Sequence, residues 1–349
     1  MRLEPRGEPT LLLSLAAPAA ALAFTLVATA ALIALAGAPV PRAFATMFAG
    51  ALGSGFAVNE LLTRATPLIL TGLAAAIAFR ARLWNIGAEG QLYAGAVAAT
   101  LLGTGALGLP AVMLVPVLVA GGAIAGAVLL AGPALLKTRL GVDEVVVTLL
   151  SNFIVILIVG MLLEGPLKDP MGLGWPQAEP IVPEGELPKL VAGMRLHAGF
   201  PLAVALAVAA WAIDARSALG LRIRAVGLNA GAARFAGIPV ERTLLWTALL
   251  SGGMAGVAGV SEVAGLKGNL TLDLSPGFGY GGIVVAMLAR LHPLGVVGAA
   301  IFVAAIFVGA DAMSRGVGVP NYIADVIVAT ALLSMLVALL FLRYRLRWR

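Results

Sequence analysis

Few residues in this 349-residue chain are of a kind that could do chemistry, and the densest group is Asn85-Ile-Gly-Ala-Glu89-Gly-Gln91. Two amides and a carboxylate stand within seven residues, between two apolar runs, with Gly87 and Gly90 loosening the backbone. Two readings are open. In one, the segment is a broken helix whose polar groups line a solute path, since irregular backbone at membrane depth is tolerated beside protein or water. In the other it is a tight cytoplasmic turn, with Glu89 paired to Arg80 or Arg82. Asn152 lies inside a long apolar run, where an amide serves either as glue between helices or as a solute contact. Asp143 and Glu144 precede that run and suit the positive end of a helix. Asp311 and Asp325 fall at the edges of late apolar runs, an interfacial position; a deep carboxylate there would instead point to ion coupling.

The absences narrow the chemistry further. Cysteine is absent, which removes disulfides, thiolate nucleophiles and thiolate metal sites, and two histidines (His197 and His292) do not make a metal cluster. Gly132-Pro-Ala-Leu-Leu-Lys137-Thr138 lacks the glycine that a phosphate loop needs before its lysine, so the chain is expected to bind no ATP itself. No zinc-protease, serine-hydrolase or clustered-aspartate motif is present.

These residues are embedded in a chain that is 61% hydrophobic and 11% charged, with mean hydropathy +1.03. A soluble globule carries roughly a quarter charged residues. The deficit, with apolar runs repeated at membrane-crossing length, makes this an all-α polytopic membrane protein in contact with the lipid bilayer. About ten transmembrane helices are expected, near 11–37, 65–82, 91–109, 111–131, 144–164, 199–214, 243–265, 278–291, 294–312 and 321–342. Residues 44–58 are ambiguous, a half-inserted or surface helix. The first run is too long for a cleaved signal peptide and reads as an uncleaved span. All ten would form one transmembrane domain over 1–349, with an external loop at about 165–198.

If the N-terminus is cytoplasmic and all ten cross, Arg2, Arg6, Arg80, Arg82, Lys137, Arg139, Arg216, Arg222, Arg224, Arg234, Arg242, Arg290, Arg343, Arg345, Arg347 and Arg349 lie inside. That leaves 7 of the 23 basic residues outside, the bias of a protein with both termini cytoplasmic. The same rule accounts for the net charge of +6, and no aromatic-interleaved basic patch points to nucleic acid.

Five of those arginines fall in the polar interval 214–242. Within it Asn229 fits an N-cap, Ala230 to Ala236 tolerate helix, Gly237 fits the C′ position and Pro239 forbids continuation. A helix of about two turns cannot hold itself together in water, so it must lean on the rest of the chain or on a partner. Elsewhere Gly252-Gly-Met-Ala-Gly256-Val-Ala-Gly259 offers a small-residue face for close helix packing. The stretch ending in Arg80 and Arg82 has a weak echo around Arg290, each an apolar run ending in arginine before a glycine-bearing turn.

At Trp84-Asn-Ile-Gly-Ala-Glu-Gly-Gln-Leu92 the chain resembles the permeases of bacterial ABC importers for nucleosides, related to those for ribose, other simple sugars and branched-chain amino acids. Further resemblance lies in Gly141 to Asn152, Arg224 to Ile238, Ser251 to Gly259 and Gly279 to Gly295, so it runs from about Thr63 to Ala329. Ala88 and Tyr93 are mild departures that leave the solute open. The resemblance implies a type II ABC importer-like permease in the bacterial inner membrane. It implies three partners: a cytoplasmic ABC ATPase that binds ATP and magnesium, an external solute-binding lipoprotein, and a second permease subunit, a different chain or a second copy. No cofactor belongs to this chain on that reading. Asn229, Ala233, Arg234, Phe235, Gly237 and Ile238 would form the coupling helix seated in the ATPase. Asn85, Glu89, Gln91 and Asn152 could meet the ribose and base edges of a nucleoside if they face the path. A secondary transporter coupled to an ion is the rival, and would need a carboxylate in mid-membrane.

Overall fold

The computed structural model describes residues 2–5, 11–318 and short pieces between 326 and 347. Helices account for most of the described chain: α1 (Leu11–Leu35), α2 (Val40–Leu52), α3 (Gly55–Arg80), α4 (Ala88–Leu102), α5 (Ala111–Leu140), α6 (Glu144–Glu164), α7 (Gly199–Arg216), α8 (Ala218–Leu228), α9 (Ala230–Phe235), α10 (Val240–Glu262), α11 (Phe278–Leu288) and α12 (Pro293–Val317). A short antiparallel ribbon, β1 (Arg2–Pro5) with β2 (Tyr344–Arg347), is the exception to the all-helical expectation.

Six helices among the described residues are long and apolar enough to cross a membrane, or seven if α1 and α2, bent by 120° at their junction, count as one. Ten were expected. Part of the difference is physical: α4 has 15 residues and α11 has 11, too few for a hydrocarbon core of about 30 Å at 1.5 Å per residue. The expected run at 321–342, with Asp325, lies largely outside the described residues. Residues 44–58 begin inside α2 and end inside α3, and Asp311 lies within α12 rather than at its edge.

The chain divides into two compact units, Met1–Leu61 with Phe302–Arg349, and Leu62–Ile301. In the first, Ile33, Ala43 and Met313 form a small core, and Gly309 lets Met47 approach the backbone of α12. The second unit centres on α10, packed against α5 and α4. Here the small-residue face of α10 has its counterpart. A Cβ on Gly256 would stand 2.0 Å from the Gly122 carbonyl oxygen, one on Gly252 2.3 Å from that of Gly126, and one on Gly259 1.9 Å from that of Leu92. Three helices therefore meet backbone to backbone, which only glycine allows.

Local signals set the ends. Asp143 caps α6 by accepting from Val145 N at 2.8 Å, and Gly141 ends α5 in the left-handed region at φ +67°. α10 ends in a π turn (Val263–Lys267) whose freed carbonyls are bonded from the 165–198 loop. Leu187 N donates to Ala264 O at 2.7 Å, Ile181 N to Gly268 O at 2.8 Å, and Lys189 Nζ to Gly265 O. The echo between Arg80 and Arg290 persists in local geometry. Leu83 N bonds Ala78 O and Leu291 N bonds Ala286 O, and Arg82 and Arg290 take φ +54° and +51°.

Candidate functional site

Between α3 and α4 the chain runs without helix from residue 83 to 87, with Leu83, Asn85 and Gly87 buried and Trp84 exposed. Its backbone groups need partners that a helix would have supplied. α6 supplies several: Thr148 Oγ1 accepts from Ile86 N at 3.2 Å, Asn152 Nδ2 donates to Ile86 O at 2.9 Å, and Asn152 Oδ1 accepts from Gly90 N at 2.8 Å. Asn152 Nδ2 also lies 3.1 Å from Tyr280 Oη. The amide is thus bonded on both sides, to α4 and α11, and is fully buried.

Asn85 and Gln91 face each other across the break. Asn85 Nδ2 donates to Gln91 Oε1 at 2.9 Å and Gln91 Nε2 donates back to Asn85 Oδ1 at 2.8 Å, a closed amide pair. Ser251 of α10 completes it, accepting from Asn85 Nδ2 at 3.0 Å and donating to Ala74 O at 2.7 Å. Sequence reasoning missed Ser251, Thr148 and Tyr280. Ser251 stands beside the Gly252–Gly259 stripe, where a hydroxyl among small residues was the available signal.

Among the described residues Glu89 pairs with no arginine. It is 3% exposed, and its Oε2 accepts from Gly279 N at 2.6 Å. Gly279 belongs to the first turn of α11 and Glu89 to the first turn of α4, and a Cβ on Gly279 would stand 2.2 Å from Glu89 N. Two helix N-termini therefore abut, and one carboxylate lies against both positive ends, the arrangement the helix dipole favours. Ser275 Oγ accepts at the start of α11 from Phe278 N at 2.9 Å and from Gly277 N, just before it, at 3.2 Å. Arg80 instead pairs with Asp214, and Lys137 pairs with Glu144.

Asn85, Glu89, Gln91 and Asn152 are thus brought into one buried polar cluster at the junction of two half-length helices. The group has no nucleophile–base pair, and no cluster that could hold a metal occurs among the described residues. What the arrangement can do is exchange hydrogen bonds with a polar solute if α4 and α11 part.

Asn229, Ala233, Arg234, Phe235, Gly237 and Ile238 gather at a second place. Asn229 Oδ1 accepts from Ala232 N at 3.0 Å, α9 follows for six residues, and Gly237 takes φ +80°. Ala233 is buried and Ile238 packs on the same core cluster, whereas Phe235 is 97% exposed. Arg234 reaches Glu241 at 2.5 Å on the surface.

Half-length helices meeting at a buried polar break, inside a bundle of membrane-crossing helices, define a multi-pass membrane transport component. The comparisons agree: residues 57–342 match the family described as branched-chain amino acid transport system / permease component. The chain belongs to this permease family of ABC transport systems. It is 36% identical over 358 residues to the glucose ABC transporter permease protein TsgB13 of Haloferax volcanii, covering 99% of this chain and 93% of that protein. It is 34% identical over 323 residues to the guanosine ABC transporter permease protein NupP of Bacillus subtilis (90% and 91%). Likeness to the nucleoside ABC transporter permease protein NupB of Lactococcus lactis subsp. cremoris is 30% over 291 residues (81% and 80%). Such proteins are transport subunits rather than enzymes.

Proposed function

We propose that residues 1–349 act as one permease domain of an ATP-driven importer, providing the path for a neutral, hydroxyl- and amide-rich solute, a nucleoside foremost. The buried amide and carboxylate cluster at the α4–α11 junction carries this reading, because its donors and acceptors match those of ribose and base edges. Likeness to the guanosine and nucleoside permeases supports the same solute class. Likeness to the glucose permease supports a simple sugar as the second reading.

On this proposal both termini are cytoplasmic, an orientation the five arginines of 214–242 support if that interval lies inside, and the loop 165–198 is external. α9 seats in a cytoplasmic ABC ATPase that binds ATP and magnesium, this chain holding no cofactor. The exposed Phe235 and the short length of α9 support that seat. An external solute-binding lipoprotein delivers the solute, and a second permease chain completes the path.

The test is co-purification of the ATPase and uptake in cells. Arg234→Glu or Gly237→Trp is expected to release the ATPase and abolish uptake while the permease still accumulates. Uptake that continues without any ATPase would favour ion coupling and overturn the proposal.

A further inference from the structure

A contact path runs from α9 to the polar cluster through α8 and the end of α3, beside the direct continuation into α10. Ala233 of α9 and Ile238 share one core cluster with Ile223 and Val226 of α8, with Ala78, Phe79, Ala81 and Leu83 at the end of α3 and just beyond, and with Val240, Leu244 and Ala248 at the start of α10. Gly227 of α8 rests on the backbone of that end, since a Cβ there would stand 1.9 Å from Arg80 O and 3.3 Å from Ala81 Cα. An ionic bracket reinforces the contact. Asp214, in the last turn of α7, pairs with Arg80 through Oδ2 and with Arg224 of α8 at 3.2 Å through Oδ1, and Arg224 also donates to the Asp214 carbonyl.

Three residues beyond Leu83 the chain is still non-helical, and Asn85 is its polar anchor. The near end is tied separately: Lys137 Nζ donates to Arg82 O at 3.0 Å and pairs with Glu144, which accepts from Trp84 N at 3.1 Å. α10 continues from α9 too, but its glycine contacts lock it backbone to backbone against α5 and α4. Side-chain bonds from Thr148, Asn152 and Glu144 hold much of 84–87, and these can be exchanged without breaking a helix. A small cavity of about 30 Å³ lined by Arg80, Asp214, Ile223 and Met254 adjoins the bracket.

We propose that residues 81–87 are the link that carries displacement of α9 to the Asn85–Glu89 cluster, with Asp214 and Gly227 as the positioning residues that fasten this link to α8. The proposal rests on the reading of α9 as the ATPase seat.

The absence of native cysteine makes the test direct. Ala88→Cys, at the buried start of α4, is labelled with a maleimide in the intact permease–ATPase complex, with and without ATP plus vanadate. Labelling is expected to change several-fold with nucleotide in the parent. In Asp214→Asn and Gly227→Ala the ATPase should still co-purify and hydrolyse ATP, while the labelling response falls to less than a third. Asp214→Glu should restore it. A merely structural role would lower abundance in every variant without separating hydrolysis from the response. If the ATPase does not co-purify with the parent, the functional reading fails first. If it does, and labelling is insensitive to nucleotide or responds undiminished in both variants, this proposal alone is overturned. Should Asp214→Asn or Gly227→Ala not accumulate, Arg224→Gln, which opens the same bracket from its more exposed side, gives the same readout.

Discussion

Asn152 is the residue on which the broken backbone depends most directly, and its removal can be costed. In Asn152→Ala, Gly90 N–H and Ile86 C=O lose the partners they have at 2.8 and 2.9 Å. A buried backbone group left without a partner costs about 1–3 kcal/mol, so two predict roughly 2–6. Side-chain hydrogen bonds inside membranes average only about 0.6 kcal/mol, because the unfolded state in the bilayer also finds partners. The first figure should govern here, since both groups sit in packed, non-helical or first-turn backbone where no helical bond replaces the lost one. Alanine leaves space enough for a water, which would bridge the two groups and hold the loss near 2 kcal/mol. Leucine, similar in size and apolar, excludes that water and should cost about 4 kcal/mol. Ser151→Ala is the control, because Ser151 Oγ bonds only Val147 O within its own helix, and it should cost under about 0.5 kcal/mol. The assay is reversible unfolding in mixed micelles, followed by circular dichroism. If both Asn152 variants fall within about 0.5 kcal/mol of the parent, or leucine is no worse than alanine, the account of the break is wrong.

Gly256→Val would set a Cβ 2.0 Å from the Gly122 carbonyl oxygen, so α5 and α10 must separate; membrane abundance should fall at least several-fold, measured by quantitative blotting. Glu89→Gln keeps an acceptor for Gly279 N–H but removes the charge facing two helix starts, each worth about 0.3–1 kcal/mol; uptake should slow, and unchanged rate with unchanged solute preference would remove Glu89 from the path. His197 is fully buried, and burial first, then the nearby Lys189 charge, lowers its pKa from 6.5 to about 4. The folded state therefore holds the neutral ring while the unfolded chain takes up a proton, so stability is fully present above about pH 6.5 and falls as pH drops toward 4. The loss is at most about 3 kcal/mol by the relation of 1.36 kcal/mol per pKa unit. Thermal unfolding between pH 7.5 and 4.5 should show this decline, and His197→Asn, which keeps an acceptor for Gly199 N–H, should flatten it.

How much of this was legible in the sequence depended on whether the signal was local. α6 begins at Glu144 and ends at Glu164, the bounds its acidic start and apolar run suggest, because capping is decided within a few residues. The same holds for α9, where Asn229 and Gly237 mark both ends. The half-length helices α4 and α11 were not legible as such. A hydropathy window registers apolar content, and the apolar runs expected at 91–109 and 278–291 continue past Leu102 and Leu288, where the helices end. The partners were hidden for another reason: Asn85 meets Ser251 and Glu89 meets Gly279, separations of 166 and 190 residues. Nothing near Ser251 in the chain announces an amide on another helix. The glycine stripe of α10 did announce close packing, but not that Gly122, Gly126 and Leu92 would face it.

The closed state of the polar cluster bears on where solute selectivity resides. Asn85 and Gln91 satisfy each other, Asn152 satisfies the break, and Glu89 satisfies α11, so on the proposed reading a solute would enter only by replacing bonds already made. Exchange of one buried hydrogen bond for another yields little net free energy, since the gain from each new contact is offset by the loss of an existing one. On the proposed reading the path would therefore hold its solute weakly, which suits release on the far side. Discrimination between a nucleoside and a simple sugar would then fall to the external binding protein, whose site is not required to let go by the same route. Substitution of Gln91 should accordingly alter the rate of uptake for every accepted solute by a similar factor, and a change in preference among solutes would place the selectivity in this cluster instead.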